Sequence, residues 1–292
     1  MERLAGNVDG FPGAQPTLGG PHAPRARPWR PSAFLKGSLG LHGVAVLGTV
    51  AIPSAWPWAL GALAANHAAL VALGLWPRST WLGTNLTRLP RESAQRGEIA
   101  LTIDDGPEPE VTPRVLDLLD AHRCHATFFC IAERAREHPE LCLEIVRRGH
   151  GVENHSLVHS VPTFPCLTLG KLRREIGVAQ ATLTEVTGRA PRFFRPPAGL
   201  RNPLLDPVLH ELGLTHVTWT RRGFDTLTRE PAIVAARLLR HFAAGDILLL
   251  HDGHAARTER GVPLILEVLP RLLEAARERA LAPVALHEAI AP

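Results

Sequence analysis

Thr102-Ile103-Asp104-Asp105-Gly106-Pro107 is the stretch on which the reading of this chain turns. Two adjacent carboxylates close the apolar run Ile99-Ala100-Leu101-Thr102-Ile103, and a Gly-Pro turn follows. The run predicts a buried strand, and the dipeptide predicts its end. Acids left unpaired there are costly. The pair therefore belongs to a site, or to a polar turn that caps the next helix. At a site, a metal ion can hold one carboxylate and leave the other free as a base.

Asn154-His155-Ser156-Leu157-Val158-His159 follows a second short strand-like run, His150-Gly151-Val152-Glu153. Two His at i and i+4 share one face of a helical turn. Their imidazoles can then meet one ion, with a carboxylate from elsewhere to complete the set. Two His and one Asp suit zinc and leave positions open for water or substrate. The same set forms the iron(II) facial triad of oxygenases. A lone His pair also serves as ordinary surface or core polarity.

Three more segments stand at the ends of strand-like runs. Arg195-Pro196-Pro197-Ala198-Gly199 follows Arg192-Phe193-Phe194. There Arg195 is either a solvated loop residue or a fixed cation that pairs with an acid and lowers its pKa. Trp219-Thr220-Arg221-Arg222-Gly223-Phe224-Asp225-Thr226 comes next. Gly245-Asp246-Ile247-Leu248-Leu249-Leu250-His251-Asp252 delivers His251 at the end of a hydrophobic strand.

In this order the five segments resemble the motifs of the polysaccharide deacetylase family, carbohydrate esterase family 4, also called the NodB-homology domain. The resemblance runs from about Glu98 to about His287. The family's first motif reads T-F-D-D-G-P, and Ile103 replaces the Phe. Its second, H-S-x-x-H, is matched in full by His155 to His159. Its third, R-x-P-x-G, usually has an aromatic before the Gly. Ala198 removes that groove wall but keeps the backbone N–H that the family aims at the oxyanion. In the fourth, Asp225 aligns with the later Asp, while Arg222 replaces an earlier Asp and Thr226 a Trp. The L-x-H motif is carried by Leu249-Leu250-His251.

The resemblance implies that Asp105, His155 and His159 hold one divalent metal, Zn2+ first, with Co2+, Ni2+ or Mn2+ as alternatives. It makes Asp104 the general base, Arg195 its cationic partner, and His251 the acid oriented by Asp225. The implied reaction removes an N-acyl group from an amino sugar of a polysaccharide, oligosaccharide or lipid-linked glycan. The four departures leave room for a catalytically lapsed, membrane-anchored carbohydrate-binding relative.

Beyond residue 97, strand-like and helix-like runs alternate. The strand-like runs are Glu98–Ile103, Ala126–Ile131, His150–Glu153, Arg192–Phe194, Thr215–Trp219, Asp246–His251 and Leu281–Leu286. Such alternation predicts an α/β fold with a mostly parallel sheet. About seven units, with the resemblance, imply a distorted (β/α) barrel over 98–287. Sites in such barrels sit on loops after the strands' C-terminal ends, where all five motifs fall.

The N-terminal third differs. Residues 1–33 are rich in Pro, Gly and Arg and read as a disordered tail. Within 34–76 lie two apolar stretches, Phe34 to Ile52 and Trp58 to Trp76, each near the ~20 residues that span a bilayer. Trp56, Trp58, Trp76 and Trp81 cluster at their ends, as in an interfacial belt. A two-helix transmembrane hairpin in contact with membrane lipids is expected, with 77–97 as a linker. The other reading is a pair of helices packed on the soluble domain. Basic residues mark both outer ends: Arg25, Arg27, Arg30 and Lys36 before or at the start of the first stretch, Arg78, Arg88, Arg91 and Arg96 after the second. The positive-inside rule then places the catalytic domain on the cytoplasmic face of a bacterial-type inner membrane.

Composition narrows the partners. Net charge is +4 and Arg is spread along the chain, with no interleaved basic-aromatic patch, so no nucleic-acid partner is expected. Only 5% of residues are aromatic and there is no Tyr, which argues against a long aromatic-lined groove. The cysteines at 124, 130, 142 and 166 fit no paired metal spacing and are compatible with a reducing compartment.

Overall fold

The computed structural model describes residues 28–290, so most of the tail expected over 1–33 lies outside the described residues. Eight strands form one sheet: β1 Glu98–Gly106, β2 Thr127–Cys130, β3 Gly151–Asn154, β4 Phe193–Phe194, β5 Thr215–His216, β6 Arg221–Arg222, β7 Ile247–His251 and β8 Ala282–Val284. The order is β5-β4-β3-β2-β1-β7-β6, with every pairing parallel, and β8 pairs with the start of β1.

The two ends of this order, β5 and β6, are successive segments of one stretch, so the sheet curls back on itself. Val217 N–H donates to Phe194 O at 2.9 Å, while Thr220 N–H donates to Ile247 O at 2.9 Å. Between them Leu86 bridges Val217, and Thr218 N–H donates to Leu86 O. The expected distorted (β/α) barrel of about seven strands is therefore found, with β8 as a short eighth. Of the strand expected over Thr215–Trp219 only Thr215–His216 is regular, because the chain then pairs with Leu86 at Val217 and, beyond the expected strand, with β7 at Arg221–Arg222.

Side chains alternate across the sheet. Ile99, Leu101 and Ile103 of β1 face outward, into a core shared with Leu248, Leu250 and the helices Thr112–Ala121 and Ile265–Glu278. Each fully buried Leu or Ile contributes about 1.5–3 kcal/mol. Ala100 packs in the inner cluster with Phe129 and Ile247. Thr102 and Asp104 share that inner side, so alternation delivers Asp104 to the interior of the curl.

The N-terminal helices are α1 Ala33–Ala51 and α2 Trp56–Leu75. They pair with each other through Asn66 Nδ2 donating to Ser38 Oγ at 2.8 Å, and His42 meets His67 edge-on. Only 11% and 6% of the two apolar windows is buried, so neither helix is packed away against the barrel. Both are long and apolar enough to cross a membrane, as a hairpin or a signal anchor would.

The segment 77–97, expected as a linker, is folded onto the barrel. Leu82 and Leu89 are buried there, and Leu89 N–H donates to Gly245 O. The end of α2 touches the site's own loop: Arg201 N–H donates to Gly74 O at 3.1 Å, and a side chain at Gly199 would strike Pro77.

Candidate active site

Adjacent strand residues normally point to opposite faces, so Asp104 and Asp105 should not share a site. Here the register with β2 shifts between Asp104 and Gly106, and Asp105 adopts φ 76°. The bulge turns Asp105 back toward the interior, and both carboxylates are buried side by side.

His155 and His159 do not lie on the helical turn that their spacing predicts. They occupy an irregular loop after β3, with Ser156 at φ 71° and His159 at φ 55°. Polar side chains hold this loop. Ser156 N–H donates to Asn154 Oδ1, His159 N–H to Ser156 Oγ, and Leu157 and Val158 N–H to Glu175 Oε1. The imidazoles still meet, with centroids 4.7 Å apart.

Asp105 Oδ1 is sealed from solvent and has no partner of hydrogen-bond geometry. It lies 3.2 Å from His155 Nε2 and 3.1 Å from His159 Nε2. An orphaned carboxylate oxygen between two imidazole nitrogens is a donor set that fits a divalent cation. His155 Nδ1 donates to Arg195 O at 2.7 Å, which turns Nε2 toward the site.

His254 joins this cluster, and the sequence reading missed it. Its Nδ1 is 2.9 Å from Asp105 Oδ2, and its ring stacks on His159 with centroids 5.6 Å apart. Asp105, His159 and His254 can bring three ligand atoms together. The signal was there: His251 and His254 form an H-x-x-H that begins at the end of β7. Arg134 was missed too; its Nη1 donates to Asp105 O and its Nη2 lies 3.3 Å from His254 Nε2.

Charge is arranged to suit. Burial alone would raise the Asp105 carboxyl, but His155 and His254 overcome it and hold Asp105 well below the usual carboxylate range. Burial, then the His155 charge, lowers His159 to about 3, which leaves its imidazole neutral. His155 is raised because Asp104 and Asp105 outweigh its burial.

Arg195 is fully buried beneath Asp104. Its Nη1 donates to Asp104 Oδ1 at 2.6 Å and to Thr102 Oγ1 at 2.9 Å. Its Nη2 donates to Thr218 O, and its guanidinium sits 4.1 Å from the Phe129 ring centroid. Across the cavity, Asp225 brackets His251: Oδ2 accepts the backbone N–H at 2.8 Å and Oδ1 lies 2.9 Å from Nδ1. Burial opposes a charge on His251, yet Asp225 and the paired acids raise it to about 9. Ala198, at φ 53°, stands on the wall. The cavity is about 580 Å³, and Trp219, Arg222 and Thr226 line it with the acids and histidines.

The polysaccharide deacetylase family model matches residues 91–217. A peptidoglycan-N-acetylglucosamine deacetylase of Bacillus cereus is 32% identical over 60% of this chain and 81% of its own length. A chitooligosaccharide deacetylase of Azorhizobium caulinodans is 32% identical over 58% of this chain and 80% of its own. Among solved structures, a family 4 carbohydrate esterase from Streptomyces lividans with acetate bound superposes with a TM-score of 0.57. It is 29% identical and covers 64% of this chain and 91% of its own. Shared sequence over four fifths of these relatives, on the same curled parallel sheet, makes this chain a member of the polysaccharide deacetylase family, hydrolases of carbon–nitrogen bonds other than peptide bonds.

Proposed function

We infer that this chain is a metal-dependent N-deacetylase of an N-acetylglucosamine-containing glycan. The observation that carries the reading is the orphaned Asp105 Oδ1, buried between His155 Nε2 and His159 Nε2 at the C-terminal end of the barrel. Asp105, His155 and His159 would hold the cation, with Zn2+ the best match to the donor set and Co2+, Ni2+ or Mn2+ as substitutes. When bound, the cation supplies a Lewis acid for the acyl oxygen and a lowered pKa for water.

The chain's own groups supply the rest. Asp104 accepts the proton of the attacking water as general base. Arg195 Nη1, 2.6 Å from Asp104 Oδ1, fixes that carboxylate in place beside the water it would activate. The Ala198 N–H, on the cavity wall, would donate to the developing oxyanion. His251 carries its proton at neutral pH and gives it to the departing amine, while Asp225 fixes the ring through Nδ1.

Pre-loading the purified chain with Zn2+ and following acetate release from N-acetylated peptidoglycan fragments and chitooligosaccharides tests the reading. Acetate release that His155→Ala abolishes supports it. Metal-loaded protein inert on both substrates would leave a carbohydrate-binding relative that has lost turnover. Oxygen-dependent turnover would point instead to iron(II) chemistry.

The two exposed apolar helices support membrane anchorage, and the flanking basic residues support a cytoplasmic catalytic domain.

A further inference from the structure

A second cavity of about 580 Å³ adjoins the first, and Ala198, Trp219 and Arg222 line both. Ala198, with its small side chain, stands at the boundary that the two share. The second cavity runs to Leu75, Trp76 and Arg78 at the end of α2. Leu75 and Trp76 are 54% and 52% exposed, so the far end of the groove lies where an apolar helix would leave a bilayer.

The groove is strongly cationic. Its lining contains Arg78, Arg221, Arg222 and Arg237 and no acid. Arg221 is committed to Asp246 at 2.8 Å. The other three have no carboxylate partner among the described residues. Arg78 Nη1 reaches only Thr220 O at 3.4 Å, and Arg237 Nη1 only Gly223 O at 3.2 Å. Arg222 Cζ lies over the Trp219 and Phe224 rings, 5.3 and 4.9 Å from their centroids, and its buried Nε has no partner. Stacking of this kind leaves the donor edge of a guanidinium free for an anion.

A neutral glycan satisfies none of these cations. Phosphate does, because the guanidinium fork matches its oxygens. We propose that this groove binds the phosphate or diphosphate that joins an amino sugar to a lipid carrier, with the lipid running toward α2 and the N-acyl group reaching the Asp104–Asp105 site. The proposal rests on the deacetylase reading for its choice of sugar.

The test uses the full chain in neutral detergent, without metal. N-acetylglucosaminyl diphosphofarnesol is titrated, and the change in tryptophan fluorescence, to which Trp76 and Trp219 of the groove contribute, reports binding. Saturable binding is expected, about tenfold weaker in Arg222→Gln and in Arg78→Gln, as for one lost hydrogen bond to a charged group. Chitooligosaccharide should bind far more weakly. Phosphatidylglycerol micelles separate the two sources of phosphate: equal occupation of the groove by phosphatidylglycerol would overturn the proposal in favour of headgroup binding. Absence of saturable binding, or equal binding by both Arg variants, would overturn it as well. With Zn2+ added, acetate release from the neutral glycan without diphosphate binding overturns the groove and leaves the deacetylase standing. Diphosphate binding without acetate release from any substrate leaves the groove standing and removes the deacetylase.

Discussion

Arg195 donates from Nη1 to Asp104 Oδ1 at 2.6 Å, and neither side chain is open to solvent. The pair ties the end of β4 to β1 across the interior of the curl and fixes the Asp104 carboxylate beside the metal-type cluster. Asp104→Asn should keep the metal, because Asp105 and not Asp104 faces both imidazole nitrogens. It should lose about 10²–10⁴ in rate, since a carboxamide accepts no proton. Elemental analysis alongside acetate release checks this. If Asp104→Asn loses the metal while Asp105→Asn keeps it, the two roles are exchanged.

Removing the other partner is a different experiment. Arg195→Met leaves the Asp104 charge buried and uncompensated, at a cost of about 3–5 kcal/mol. A lower denaturation midpoint should therefore accompany the loss of activity, whereas Asp104→Asn should fall mainly in rate. Equal midpoints for wild type and Arg195→Met would show that the pair adds little to the fold.

Metal uptake should depend on pH in a stated direction. Burial opposes a proton on His155, but Asp104 and Asp105 raise its pKa above the ordinary histidine value. Only the neutral imidazole ligates, so a cation must displace that proton. Affinity should therefore weaken as pH falls through the raised pKa, about tenfold per unit, with proton release on binding. Calorimetry in buffers of different ionisation enthalpy measures that release. His155→Ala should abolish binding. His254→Ala should still take up one equivalent through Asp105, His155 and His159. Loss of the metal from His254→Ala would move the ligand set to Asp105, His159 and His254.

How far the sequence carried these statements depends on what each rested upon. The outer face of β1 was readable from Ile99, Leu101 and Ile103, because period-2 alternation is local. The bulge at Asp105 was not, since nothing in an Asp-Asp pair announces a left-handed φ. The His155–His159 pair was found through helical spacing, but the loop reaches the same end by two positive-φ residues and polar clamps. His254 was hidden because its meaning depends on where the loop after β7 folds back. The role of 77–97 depends on Leu86 filling the gap between β5 and β6, a long-range pairing with no local pattern.

The acid function proposed for His251 should have its own pH signature. Burial disfavours its charged form, but Asp225 and the nearby acids raise it to about 9. The protonated form is the active one, so rate should be present below that value and lost as pH rises through it. A cation beside His251 opposes its charge, which puts the alkaline limb at or below about pH 9. Asp225→Asn removes the raising charge and should move the limb down by about one unit or more. A pH–rate profile in which Asp225→Asn leaves the alkaline limb unmoved would remove Asp225 from this role.

The last prediction joins the anchor to the barrel. A chain beginning at residue 77 should lose α1 and α2 yet fold and bind metal, because the pairing of Leu86 with Val217 is retained. A chain beginning at residue 91 also loses Leu82 and Leu89, which are buried, and the Leu86 bridge that completes the curl. Full burial of each such Leu contributes about 1.5–3 kcal/mol, so this shorter chain should unfold at lower temperature or aggregate. The full chain should sediment with membranes and resist extraction by high salt, since screening acts on surface charge and not on a spanning helix. A reporter fused after residue 292 should be cytoplasmic if both α1 and α2 span, given the basic residues outside both ends. An external reporter would mean that one helix spans as a signal anchor, and the substrate would then be sought on the outer side of the membrane. A full chain recovered in the soluble fraction would show that the exposed faces of α1 and α2 are covered by protein instead.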